Sequence, residues 1–379
     1  MRPAVPLRQL ALVFLKIGTF GFGGGAGMLA LIRQEVVEKR RWLDDTELAT
    51  AVAMGQMLPG PFVSNYAEYI GYRLAGIPGM IVSTLGLLFP GFVLILLLGI
   101  AYYRYGSLPL IQKAFTGIQP VVTGILAWAT WTIGRTNVRS WRSALLALIS
   151  ALALLLGGDI LLVVLGCGLL AILTTKKPAR SSRTLLLLPL PYLITGSQTR
   201  PALPQLFRQA GELALVFFKM GTVIFGGGFA AIPFLQHEVV ELRGWLTTRE
   251  FIDAVALGQM TPGPVALMAT FIGYRVLGIP GALIATLGTF LPSALMLFGL
   301  IKGYDKIRNN PLVRSFLAGV LPAVVGMLFA STVFIARSSF TGLISVITAL
   351  LTLLLLLRFS VLQPVWLIIG GALLGLISP

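Results

Sequence analysis

Residues 10–61 read LALVFLKIGTFGFGGG…EVVEKRRWL…AVAMGQMLPGP, and residues 213–264 read LALVFFKMGTVIFGGG…EVVELRGWL…AVALGQMTPGP. The spacing is constant: 219 − 16 = 203 for the lysines and 262 − 59 = 203 for the prolines. Beyond Pro264 one residue is missing, so Gly76-Ile77-Pro78-Gly79 meets Gly278-Ile279-Pro280-Gly281 at an offset of 202. The match fades after Pro120 and Pro322. A duplicated apolar half of this size is the pattern of secondary transporters, whose substrate site lies between two repeats.

The chain is 56% hydrophobic and 11% charged, with a mean hydropathy of +0.91. Soluble domains carry about a quarter charged residues. Residues 77–101, 283–301 and 341–357 contain no ionisable side chain, and a membrane span needs roughly 20 apolar residues. The segments are continuously apolar instead of alternating, which excludes a β-barrel. The expected fold is therefore an all-α polytopic membrane protein. The net charge of +16 fits basic cytoplasmic loops and anionic headgroups. The lipid bilayer, not nucleic acid, is the expected partner, and surplus cations would concentrate an anionic substrate. Cys167 is the one cysteine, so no intrachain disulfide forms, and it reads as packing. Lys16 and the glycines inside the first apolar unit argue against a cleaved signal peptide.

Each half holds four apolar units: 7–32, 47–73, 77–103 and 109–134, then 211–236, 250–275, 279–301 and 312–337. A pair without obvious mutual similarity follows each set, at 142–157 and 160–174, then at 340–357 and 361–377. The expected division is an N-terminal repeat over 1–175, a basic linker over 176–209 and a C-terminal repeat over 210–379. The linker contains a short apolar run at 184–195, too short to span as a standard helix. Loop charges bear on orientation. Arg33, Lys39, Arg40 and Arg41 outweigh Arg243 and Arg249 after the first unit, whereas Lys302, Lys306 and Arg308 outweigh Arg104 after the third. Opposed biases in equivalent loops favour inverted repeats. The uncharged C-terminus against two N-terminal arginines fits an odd number of spans, with the N-terminus inside.

Four duplicated features carry candidate chemistry. Phe22-Gly23-Gly24-Gly25 and Phe225-Gly226-Gly227-Gly228 weaken a helix inside an apolar segment. A break there exposes N–H groups and a positive dipole end to an anion, while close helix packing through small residues is the competing reading. Gly55-Gln56-Met57-Leu58-Pro59-Gly60-Pro61 and Gly258-Gln259-Met260-Thr261-Pro262-Gly263-Pro264 bar a regular helix. Paired discontinuities of this kind point to a transporter site, with Gln56 and Gln259 adding amide donors, and an internally satisfied kink is the alternative. Lys16 lies nine residues into its unit, roughly 13 Å at 1.5 Å per residue. A charge at that depth is a functional candidate, as is Lys219, and snorkelling to the interface is the structural alternative. Tyr72-Arg73 and Tyr274-Arg275 fit interfacial anchors or gates for an anion.

Glu35, Glu38, Trp42 and Glu47 recur as Glu238, Glu241, Trp245 and Glu250. They read as a structural loop and helix start, with Thr46 or Thr248 as the cap and Glu47 or Glu250 as alternatives for proton coupling. Glu68 and Asp253 lack carboxylate counterparts in the other half, as His237 lacks a histidine counterpart. No P-loop motif is present, and one histidine with one cysteine cannot build a His/Cys-rich metal site. Neither a cofactor nor enzymatic chemistry is expected.

Two copies of FGGG, a tryptophan-bearing loop and GQ-x-x-PGP, in that order, resemble the chromate ion transporter family in its long two-domain form. The resemblance covers roughly 8–135 and 210–337. It implies a bacterial inner-membrane protein that exports chromate, driven by the proton-motive force, with halves of opposite orientation. The family's motif residues map to Phe22–Gly25, Gly55–Pro61, Phe225–Gly228 and Gly258–Pro264. The second copy has Ile224 for Gly21 and Thr261 for Leu58, so the halves need not contribute equally. The expected substrate-binding set is Lys16, Gly23, Gly24, Gly25, Gln56, Pro59, Gly60 and Pro61 with Lys219, Gly226, Gly227, Gly228, Gln259, Pro262, Gly263 and Pro264. Arg73 and Arg275 are the gate candidates. Chromate is a tetrahedral dianion shaped like sulfate, so sulfate or a related oxyanion is the alternative substrate. An uncoupled anion channel and a membrane-embedded enzyme or lipid-handling protein are the alternative activities. A homo-oligomer is compatible with the sequence, which sets no oligomeric state.

Overall fold

The computed structural model describes residues 5–22, 24–174, 205–301, 310–359 and 362–377. These residues form helices and no strand. The first half contains α1 (Leu7–Phe20), α2 (Gly24–Ile32, continued by a π-helical stretch Arg33–Lys39), α3 (Asp45–Met57), α4 (Phe62–Tyr105), α5 (Pro109–Asn137), α6 (Trp141–Leu155) and α7 (Ile160–Thr174). The second contains α8 (Gln205–Val223), α9 (Ala231–Leu235, continued by a π-helical stretch Gln236–Leu242), α10 (Thr248–Met260), α11 (Met268–Ile301), α12 (Pro311–Ser339), α13 (Leu343–Arg358) and α14 (Pro364–Ile377). The apolar run at 184–195 and the cations Lys302, Lys306 and Arg308 lie outside the described residues. Three stretches, Phe62–Tyr105, Val265–Leu300 and Pro311–Ser339, are long and apolar enough to cross a membrane. In 77–105 the side chains of Ile77, Ile81, Leu85 and Phe89 are exposed at four-residue spacing, as are Ile279, Leu283, Leu287 and Leu291 in α11. A helix with an apolar stripe turned outward needs a bilayer as its solvent.

The helix starts differ from the expected caps. Asp44 accepts the Glu47 N–H at 2.8 Å and its own N–H reaches the Glu47 carboxylate. Thr247 and Glu250 repeat this reciprocal pair. Asp44 and Thr247 each stand three residues before a glutamate, the capping-box spacing. Thr46 and Thr248 already lie inside the first turn.

Long α4 is a hairpin, not a rod. Ala75 and Gly76 leave helical geometry, with Gly76 at φ +66°, a conformation glycine adopts at least cost. Segments 62–74 and 77–105 fold onto each other: Ser83 Oγ donates to the Ala67 carbonyl at 2.7 Å. A Cβ placed on Gly71 would collide with the Gly79 carbonyl oxygen. Gly278 at φ +60° makes the same turn in α11, with Gly273 against Gly281.

Two further hairpins reverse the chain in each half. Lys16 and Glu35 are 19 residues apart, about 28 Å along one continuous helix, yet their charged groups lie 3.0 Å apart. The chain therefore doubles back at the glycine cluster, and Lys219 with Glu238 at 2.9 Å shows the same reversal. Glu47 at the start of α3 meets Arg73, 26 residues later, at 3.5 Å. Arg275 meets Glu250 at 3.1 Å, so the Pro-Gly-Pro turns are hairpin tips too.

The halves are inverted. Segment 77–105 runs alongside the start of α11 in ascending register: Gly91 faces Pro262 and Leu267, Gly99 faces Phe271, and Tyr103 faces Tyr274. Segment 77–105 runs opposite to 62–74, so 62–74 and its copy 268–275 point in opposite directions. Helices α5 and α12, also copies, agree. Thr130 meets its own counterpart Thr332 at 3.4 Å, while Gly134 faces Val325, an antiparallel order.

The terminal helix pairs, unlike in sequence, are equivalent in place. Each packs on the other half: α12 on α6 and α7, α5 on α13 and α14. A Cβ on Gly326 would meet the Ala147 carbonyl, and one on Gly124 would meet the Ala349 carbonyl. Small residues let these backbones approach closely. This exchange locks the two halves into one body.

Candidate functional site

The four hairpin tips meet across the inter-repeat interface. After α1 the helix stops at Gly21 and restarts at Gly24. After α8 it stops at Val223 and resumes through Gly226 and Gly227, at φ +99° and +94°. Gly23 lies outside the described residues. The turns between α3 and α4, and between α10 and α11, place Gly60 and Gly263 each at φ +103°. Gly60 N–H donates to the Ile224 carbonyl at 2.6 Å, and Gly263 N–H donates to the Gly21 carbonyl at 3.0 Å. Ile224 is the counterpart of Gly21 (21 + 203 = 224), so the two bonds are copies of one another. Each half thus offers its Pro-Gly-Pro tip to the broken helix of the other half.

Around the tips the halves diverge. Gln259 carries a buried amide nitrogen without a hydrogen-bond partner. It lines a cavity of about 10 Å³ with Phe22, Thr261, Gly263, Val265 and Gln363, room for about one water-sized sphere. Its copy Gln56 is exposed. Pro59, Gly60, Pro61, Pro262, Gly263 and Pro264 are buried, and Gly227 and Gly228 approach Phe62 and Val265 of the opposing structure and its own turn respectively. Gly25 is exposed, near Val63. In the first half Asn65 Nδ2 braces the turn by donating to the Gly55 carbonyl at 3.0 Å. Glu68, one helical turn on, is fully buried. In the second half Asp253 is buried and accepts from Tyr102 Oη of the first half at 2.7 Å.

The lysines are engaged elsewhere. Lys16 is 52% exposed and bonds Glu35, which is 3% exposed and is also held by Lys39 and Arg40. Glu35 lies beyond the last apolar residue of its unit, Ile32. Burial opposes its charge, yet hydrogen bonds from Lys39, Lys16 and Arg40 win and hold its pKa down at about 2. Lys219, 28% exposed, bonds Glu238, which Arg243 also holds. These clusters brace the legs of the first hairpins. Arg73 and Arg275 clamp the mouths of the second hairpins through Glu47 and Glu250. Because the halves are inverted, those two clamps belong to opposite sides. A cavity of about 560 Å³ lies away from the tips. It runs between α5, α13 and α14, with Lys113 and Arg249 on its wall.

Sequence reasoning found the tips and missed what surrounds them. Glu35 and Glu238 recur in both halves, and that recurrence was the available signal that they serve the equally recurrent lysines. Asn65 and Ser293 have no duplicated signature and become visible only once the halves are assembled.

The model of the family described as Chromate transporter matches residues 8–172 and 211–376. The chromate transport protein of Cupriavidus metallidurans is 31% identical over 382 residues, which cover 99% of this chain and 94% of that one. The probable chromate transport protein of Synechococcus elongatus is 32% identical over 359 residues, 93% of this chain and 91% of its own. An uncharacterized transporter of Methanocaldococcus jannaschii is 31% identical over 330 residues, 84% of this chain and 82% of its own. No solved structure matches the chain. Inverted repeats, broken helices and two matched segments converge: the chain belongs to the chromate transporter family and is a multi-pass membrane transport protein, not an enzyme.

Proposed function

We propose that this protein exports chromate, or a sulfate-like oxyanion, across the bacterial inner membrane, driven by the proton-motive force, at a site between the repeats. The observation that carries the reading is the meeting of four tips through the paired bonds Gly60 N–H to Ile224 and Gly263 N–H to Gly21. A tetrahedral dianion needs converging N–H donors and little else. The tips supply backbone N–H groups, and Gln259 adds a buried amide donor with no protein partner. The small cavity beside Gln259 is too tight for the anion, and both tip glycines spend their N–H groups on carbonyls. Loading therefore requires one tip to part from the opposing break, which releases donors toward one side. Inversion makes the second tip the equivalent release toward the other side, an alternating-access scheme for repeats rocking about a fixed site. The lysine clusters would draw anions to the hairpin legs.

Labelled chromate uptake into inverted membrane vesicles tests this, with and without a proton gradient and with sulfate as competitor. Saturable, gradient-dependent uptake supports the reading. Flux that neither saturates nor responds to the gradient would replace it with an uncoupled channel, and preferred sulfate uptake would reassign the substrate.

A further inference from the structure

We propose that Glu68, with Asn65 and Ser293, is the proton-carrying site of this transporter. The inference rests on the transport reading above and adds the group through which a proton gradient acts.

The argument starts from unmet hydrogen bonds. Glu68 is fully buried in segment 62–74, and one carboxyl oxygen, Oε2, has no partner. The other, Oε1, receives only a long contact from Ser293 Oγ at 3.5 Å. Asn65, one turn earlier and on the same helical face, is also fully buried, and its Oδ1 has no partner. Its amide cannot be turned round, because Nδ2 donates to the carbonyls of Gly55 and Pro59, where an oxygen would meet oxygen. Two orphan acceptors thus share one face. A buried carboxylate without a counter-charge is among the costliest groups a protein can hold. One proton on Glu68 removes the charge and creates a donor, for which Asn65 Oδ1 is the acceptor one turn away.

Among the described residues, the charged groups on the helices packed around Glu68 are bound elsewhere, Lys16 of α1 to Glu35. On Glu68's own helix Arg73 is bound to Glu47. On α3, packed behind it, Asp45 is bound to Arg33 and Glu47 to Arg73. Segment 77–105 contributes Ser83, which is bound to Ala67. From α11 comes Ser293, while Arg275 is bound to Glu250. The tyrosine that neighbours Asn65, Tyr66, packs on Gly55.

Position supplies the coupling. Ser293 touches both partners: a Cβ on Gly60 would stand 2.8 Å from the Ser293 Cβ, and Ser293 Oγ faces Glu68. Ser293 belongs to the second half, Glu68 and Gly60 to the first. Movement of the first Pro-Gly-Pro tip away from the second half therefore strips Glu68 of its one contact from across the interface and opens it to water. Protonation favours the closed tip and loss of the proton favours the open one. The second half has no carboxylate at the equivalent position: the residue 202 positions after Glu68 is Thr270, which pairs with the Thr286 hydroxyl at 2.8 Å.

The test uses full-length protein in proteoliposomes, with chromate as the probe. Wild-type exchange of internal for external chromate is measured first; its absence with both chromate and sulfate sinks the transport reading rather than this one. Glu68→Gln is then expected to keep exchange while gradient-driven accumulation falls to the no-gradient level. Accumulation by Glu68→Gln equal to wild type overturns the proposal, and accumulation that follows a sodium gradient instead of a proton gradient overturns it in favour of a cation site. Should Glu68→Gln fail to insert, Ser293→Ala decides. Loss of the one hydroxyl facing the carboxyl is expected to move the pH profile of exchange, and an unmoved profile refutes the assignment.

Discussion

Replacing Gly60 with alanine tests the tip-to-tip contact quantitatively. Gly60 sits at φ +103°, where an L side chain costs about 1–3 kcal/mol. The added Cβ would also stand 2.8 Å from the Ser293 Cβ, and relief of such overpacking costs about 1–3 kcal/mol. The sum is about 2–6 kcal/mol. Gly263 has the same φ of +103°, but its nearest neighbour is Leu267 Cδ1 at 2.9 Å, the end of a mobile side chain. The position opposite, the counterpart of Ser293, is Gly91 (293 − 202 = 91). Gly263→Ala should therefore cost only the backbone part, about 1–3 kcal/mol. Thermal and denaturant midpoints of detergent-purified protein should rank wild type above Gly263→Ala above Gly60→Ala. Adding Ser293→Gly to Gly60→Ala should recover a coupling of about 0.5–3 kcal/mol relative to the two single changes, because the Ser293 Cβ is the clashing atom. Equal midpoints for the two glycine variants, or strict additivity in the double, would refute the interdigitated tips.

Four further outcomes follow from the braces and caps. Glu35→Gln leaves Lys16, Lys39 and Arg40 facing one another; since all three are substantially exposed, screening limits the loss to about 1–2 kcal/mol, read as a lower midpoint. Glu35 titrates below its ordinary 4.5, at about 2, so its contribution is complete above the unfolded value and is lost as pH falls from 4.5 through 2; wild-type melts should be flat in this respect between pH 8 and 5, and Glu35→Gln should lack the acid limb. Asp44→Ala and Thr247→Ala should each cost about 1 kcal/mol, while Thr46→Ala should change the midpoint by less than about 0.5 kcal/mol. Lys16→Ala and Lys219→Ala should each cut anion transport without preventing insertion, and full chromate flux in the double variant would remove the lysines from the mechanism.

Much of this architecture was legible because duplication writes every constraint twice. The breaks after Phe20 and Val223, the Pro-Gly-Pro turns and the Gly-Ile-Pro-Gly turns of α4 and α11 all fall where glycine or proline weakens or bars a regular helix. Loop charges pointed to inversion before any helix could be oriented. Three-dimensional partnership was not legible. Lys16 reads as a lone deep charge until the hairpin brings Glu35 beside it, since 19 residues of sequence hide a contact that only a reversal creates. The terminal pairs 141–174 and 343–377 gave no sign of equivalence, because a helix that packs through Gly124 or Gly326 needs only a small residue opposite, and many sequences provide one. Glu68 looked like an unmatched carboxylate, and its isolation is informative only with the orphaned Asn65 oxygen one turn away.

Inversion changes what a matched pair of substitutions means. A residue and its copy, such as Arg73 and Arg275, bind equivalent carboxylates, Glu47 and Glu250, but in inverted halves they face opposite sides. Identical replacements at the two positions are thus one chemical change applied to two faces of the membrane. A reagent confined to one compartment should reach a cysteine at one position and spare the other. The sequence itself supplies a matched internal control: where the packing around the two copies is alike, a difference in their response belongs to the side each one faces.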